Sequence, residues 1–268
     1  MNYFYVSLGK VGKVATWIGG PVVVAVVVML KMGPTMKIKF CAALAAGALL
    51  SSGAEAATLK LDGYTAGVKN VTVSASPVAN TPNPAGATGF NISDQSGSLG
   101  SFVAWCLDIG HYLMGVGDTD EYDLTTDPFS NSFGLTQVAR DRVQAVFDAN
   151  YGTLDASDSA QATGFQMALW EAAFEDDATA MSMSDGAFIA SNAASDSLAS
   201  TYLANAIAHT GSSRYQMSFF EISSLDENRG RYTGQNLVTV SEVPLPAAGL
   251  LLLTALGGTA FVGRRRKS

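Results

Sequence analysis

Between Thr136 and His209 the hydrophobic pattern of this chain changes period, and that change limits the folds open to it. Upstream, segments such as VKNVTVSAS alternate apolar and polar residues, as half-buried strands do. Phe102 to Ile109 reads as a further strand bounded by glycines. Turn signals stand at Asp62-Gly63, Pro82-Asn83-Pro84 and Gly97. Within the changed region, apolar residues recur at helical spacing. They predict three helices, Thr136 to Asn150, Ser157 to Glu175 and Asp185 to Ala208, the second capped by Ser157 or Asp158. Alternation returns in YQMSFFEIS and NLVTVSEV. Strands, then helices, then strands predict an α+β domain: a β-sandwich or barrel-like framework with an inserted block of about three helices.

The two ends follow other rules. From Met36 the chain reads MKIKFCAALAAGALLSSGAEA. A short basic region, an apolar stretch and small residues at Ala54-Glu55-Ala56 form the layout of a secretory signal peptide, with cleavage expected after Ala56. Residues 1–35 precede that signal and hold an apolar run, VATWIGGPVVVAVVVML. They are expected to be a mis-assigned extension, with translation starting at Met36. At the other end, the apolar run from Ala247 to Gly263 is near the lower limit of ~17 residues for a membrane-spanning helix. Arg264, Arg265, Arg266 and Lys267 follow it, which places the tail on the cytoplasmic side and the body outside.

This C-terminal order, Val243-Pro244-Leu245-Pro246-Ala247, apolar helix, arginine cluster, resembles the VPLPA-CTERM sorting segment of Gram-negative bacteria, a variant of the PEP-CTERM group. The resemblance covers residues 243–268. It implies handling by an exosortase-type membrane protease and export through the inner membrane to the cell envelope or extracellular surface.

Residues 57–242 then form the delivered domain, a comfortable length for one core. Acidic residues there outnumber Lys and Arg about threefold, so this part is more acidic than the whole-chain charge of −7 suggests. Nucleic acid is excluded as a partner, because neutralising phosphates needs clustered Lys and Arg.

Cleavage after Ala56 removes Cys41 and leaves Cys106 as the lone thiol. Exported domains ordinarily pair their cysteines, so a single one is an intermolecular bridge, a reactive group or a buried passenger. On a strand, Val103, Trp105, Leu107 and Ile109 share a face that reads as the core face. Cys106 then shares the other face with Ala104 and Asp108 and is expected to look toward the helices. On the second helix, Ala162, Gln166, Leu169 and Ala173 fall on one face, flanked by Phe165 and Trp170. Gln166 interrupts that apolar stripe. A buried carboxamide without partners costs about 1–3 kcal/mol, so a backbone group, a water or something more specific must satisfy it.

Gln166-Met167-Ala168-Leu169-Trp170 is similar to the Gln-x-Ala-Ile-Trp signature of thioester domains, known from surface adhesins of Gram-positive bacteria. Trp105-Cys106-Leu107-Asp108 fits that family's cysteine element. Phe165 stands where the family usually has Thr, and Leu169 where Ile is commoner. The resemblance spans roughly residues 102–174. It implies an internal thioester between Cys106 and Gln166, walled by Trp105, Phe165, Leu169 and Trp170. The bond is consumed once on a surface or matrix target, so the protein is a covalent adhesin or cross-linker and not a turnover enzyme. The alternative is a non-reactive structural protein of the extracellular matrix or exopolysaccharide layer. A weaker one is a secreted cysteine hydrolase built on Cys106 and His111.

Remaining features read as structure. Asp118-Thr-Asp-Glu-Tyr-Asp123 lacks the calcium-loop spacing and reads as a solvated acidic loop, with no metal expected. His209 suits a helix C-terminus. Glu171, Glu175, Asp176 and Asp177 are expected at the exposed end of the second helix. No motif implies a cofactor.

Overall fold

A computed structural model describes residues 4–8, 12–16, 55–125, 129–223 and 234–243. The chain divides into two units, Met1–Ser51 and Ser52–Ser268. In the first, strands β1 (Phe4–Leu8) and β2 (Gly12–Thr16) pair as an antiparallel hairpin, Phe4 opposite Thr16. The signal peptide lies outside the described residues except for Glu55 and Ala56, which already belong to the next strand. The sorting segment lies outside them except for Val243. Among the described residues no helix is long and apolar enough to cross a membrane.

The second unit has the expected α+β character. Strands β3 (Glu55–Tyr64), β6 (Phe90–Asp94), β7 (Ser101–Cys106), β8 (Thr119–Thr125), β10 (Tyr215–Ile222) and β11 (Leu237–Glu242) close into an antiparallel barrel. Its order is β10-β11-β7-β6-β3-β8. Closure leaves no free sheet edge. Strands β4 (Lys69–Ala75), β5 (Ala85–Ala87) and β9 (Ile189–Ser191) form a separate small sheet.

Between β8 and β10, which are neighbours in the barrel, the chain inserts α1 (Gln137–Asn150), α2 (Ser159–Phe174) and α3 (Asp196–Ala208). Thr136 caps α1 through the Ala139 N–H, and Asp158 caps α2 through the amides of Ala160 and Gln161. Helix α2 carries no single apolar stripe. Every residue from Ala162 to Phe174 is buried, so it is the central helix, covered on all sides. Gly164 lets α3 approach it: a Cβ there would stand 3.0 Å from Leu198 Cβ and 3.2 Å from the Ser195 carbonyl.

Four sequence expectations are corrected. The third helix starts at Asp196, not Asp185, because Ile189–Ser191 pairs with β4 and Gly186 takes a φ of +117°. The acidic segment 118–123 is mostly strand, with Tyr122 buried in β8's inward row. Glu171 and Glu175 are buried, because the chain after α2 folds back over them. The faces of β7 are also exchanged. Ladder partners share a face. Cys106 pairs with Leu237, Leu237 with Phe220, and Phe102 stacks on Phe220 at 5.2 Å across the barrel. Cys106 therefore points into the barrel. Trp105 points outward to the helices, its ring 4.8 Å from that of Phe165.

Candidate functional site

The site begins where a strand stops. Pairing of β6 with β7 ends at Phe90 and Ala104, two residues short of Cys106. On the other side β11 runs on: Leu237 lies opposite Cys106, and the Leu107 N–H donates to the Asn236 carbonyl at 3.3 Å. Cys106's own N–H and C=O thus face the side that β6 has left. A buried, unpaired main chain is costly there.

Gln166 of α2 takes the missing place. Its Oε1 accepts from the Cys106 N–H at 2.9 Å, and its Nε2 donates to the Cys106 carbonyl at 2.8 Å. Both residues are buried, at 1% and 0% exposure. The two hydrogen bonds bracket the Gln166 side-chain carbon and hold it against the residue that bears the thiol. The bond accepted by Oε1 draws electron density from that carbon, and the bond donated by Nε2 works against it.

The surroundings exclude water. Trp105, Phe165, Leu169 and Trp170 are all buried. Phe165 makes edge contacts with Trp105 and Phe147. Trp170, one helical turn beyond Gln166, packs near Phe188. Burial pushes the Cys106 thiol up to about 12, and the Asp108 carboxylate adds to the rise. The Trp170 indole N–H and the Asp108 amide, 3.4 Å from Sγ, oppose it. The sulfur is therefore held as an uncharged thiol at neutral pH.

The end of β7 is fixed by polar groups that the sequence did not single out. Asn236 donates to Asn131 and Ser132 and accepts from the Ile222 amide. Gln235 Nε2 donates to the carbonyls of Asp108 and His111. The strand ends at Cys106, so His111 does not continue it. Its Nδ1 lies 2.8 Å from each oxygen of Asp108, whose hydrogen bond raises the imidazole pKa.

A second cluster sits at the far end of α2. Glu171 Oε1 accepts from the Ser182 amide at 2.6 Å, and Glu175 accepts from the amides of Asp176 and Ala187. Burial, with Glu175 alongside, moves Glu171 from an ordinary 4.5 to about 8. Arg142 donates to the carbonyls of Glu175, Asp176, Asp177 and Thr179, which caps the same helix end. Carboxylates four apart in an otherwise apolar run were the available signal. Among the described residues no group of His, Cys, Asp and Glu could hold a metal ion.

No family model matches the chain, and no curated protein matches it.

Proposed function

We propose that this is an exported protein of a Gram-negative cell envelope, delivered by a VPLPA-type sorting segment and an exosortase-type protease. Its barrel domain forms an internal thioester between Cys106 and Gln166 and spends it once on a surface or matrix target. One observation carries this reading: the Gln166 carboxamide is clamped to Cys106 by two hydrogen bonds inside a water-poor, aromatic-walled site.

The chemistry balances without a cofactor. The Cys106 sulfur adds to the Gln166 side-chain carbon. The C–N bond breaks, the thiol proton goes to the departing nitrogen, and ammonia leaves. An amide is a poor acyl donor, so the step depends on held geometry and exclusion of water. The same dryness then protects the thioester from hydrolysis. An incoming amine adds to that carbon, the C–S bond breaks, and the amine's proton passes to sulfur. The products are a new amide at Gln166 and a free Cys106 thiol.

A second reading has its own support. Cys106 already satisfies both ends of the Gln166 amide, which is also what a purely structural glutamine needs. On that reading the protein is a non-reactive component of the extracellular matrix.

Methylamine separates the two. On the thioester reading, peptide mapping after treatment finds methylamide at Gln166 and a newly titratable thiol at Cys106, and neither in Cys106→Ala. An unmodified Gln166 beside a thiol that was free from the outset leaves the structural reading.

A further inference from the structure

Three exposed apolar side chains, Tyr64, Val68 and Tyr112, stand around one surface cleft of about 220 Å³. Apolar groups scattered singly over a surface need no explanation, but a set of them around one concavity does. The two rings are held in place. Tyr64 leans on Phe90, ring centroids 6.2 Å apart, and the Tyr112 carbonyl accepts from the Gly234 N–H at 3.0 Å. The next residue, Gln235, also lines the cleft. Its Nε2 donates to the carbonyls of Asp108 and His111 at 3.1 and 2.9 Å, which fixes the carboxamide. Its Oε1 takes part in no hydrogen bond among the described residues, so the cleft has an oriented acceptor to offer. Among the described residues no Asp, Glu, Lys or Arg lines it. His111 does, and the Asp108 carboxylate 2.8 Å from its Nδ1 balances its charge.

We propose that this cleft binds one neutral pyranose ring of a glycan, its C–H faces against the rings of Tyr64 and Tyr112 and a hydroxyl donating to Gln235 Oε1. Each feature selects against another class of ligand. A wall without Lys or Arg gives phosphates and carboxylates nothing to pair with, and one without Asp or Glu does the same for amines. A purely apolar ligand would leave the fixed Oε1 unsatisfied. A sugar ring answers both demands. Its oxygens polarise its C–H groups toward positive, which suits the negative face of an aromatic ring, and its edge is all hydroxyl. At about 220 Å³ the cleft is below the range of roughly 300–1,000 Å³ for a drug-sized ligand, so it takes one ring and not an oligomer. Neither Cys106 nor Gln166 lines the cleft, and the inference needs no bond between them.

The test is saturation-transfer NMR on the full-length protein with the methyl glycosides of glucose, galactose, mannose and N-acetylglucosamine. At least one of the four is expected to receive saturation at its ring C–H protons. Its affinity should fall at least about fivefold in Tyr64→Ala and in Tyr112→Ala, each of which removes one stacking face. Phe133→Ala, which removes an exposed ring outside the cleft, should bind as wild type does. No transfer to any of the four, or wild-type affinity in either tyrosine variant, overturns the proposal. If an alanine variant fails to fold, Val68→Trp at the exposed rim decides: filling the mouth must lower the affinity by a similar factor, and an unchanged affinity overturns the site. Methylamine and the glycosides report on different groups, so failure of either assay leaves the other standing.

Discussion

The carboxamide of Gln166 stands in for a β-strand opposite Cys106, meeting its amide at 2.9 Å and its carbonyl at 2.8 Å. Replacing it with leucine keeps the bulk and removes both bonds. Two main-chain groups are then buried without partners, each costing about 1–3 kcal/mol. Gln166→Leu is expected to lower the urea midpoint with an unchanged slope, and a midpoint equal to wild type contradicts the clamp.

Glu171 makes stability fall as pH rises. Its folded pKa of about 8 lies above the ordinary 4.5, so between those values the folded state holds the proton that the unfolded state has released. The stabilisation is fully present below pH 4.5 and is lost as pH climbs to 8. Glu171→Gln, neutral and of the same shape, should flatten this slope in denaturant titrations between pH 5 and 8. His111 beside Asp108 also has a raised pKa, so a smaller decline above 6.5 should persist in the variant.

Helices α2 and α3 cross at a point where only hydrogen fits. In Gly164→Ala the new methyl group meets Leu198 Cβ and the main chain of Ser195 and Ala199 at 3.0–3.2 Å. The helical gain from alanine is smaller than the cost of prising backbone apart, so a net loss of about 1–3 kcal/mol is expected in thermal or urea unfolding. A neutral or stabilised variant contradicts so close a crossing.

Much of this architecture can be read from hydrophobic periodicity. The helical block and the flanking strands emerge because one face of each strand alternates and the helices carry caps at Thr136 and Asp158. That Gln166 needs a partner was legible for a physical reason, since a buried amide must be satisfied; that the partner is the main chain of Cys106 was not, because it depends on where β6 stops pairing with β7. The faces of β7 were not legible. In a barrel overlaid by helices both sides of a strand are buried, so apolar character does not tell them apart: the row of Trp105 meets the helices, and the row of Phe102 and Cys106 lines the interior. Nor did local pattern locate Glu171 and Glu175. Their burial depends on the amides of Ser182 and Ala187, which return from eleven and twelve residues downstream. The start of α3 was misplaced because Ile189–Ser191 finds its partner on β4, far away in sequence.

The central claim is a covalent bond between a sulfur and a side-chain carbon, and intact mass reads it directly. Protein purified in acid, where thioesters survive, should weigh one ammonia less than its sequence, and Cys106→Ala should carry no such deficit. A wild-type mass equal to that of the unmodified sequence contradicts the account.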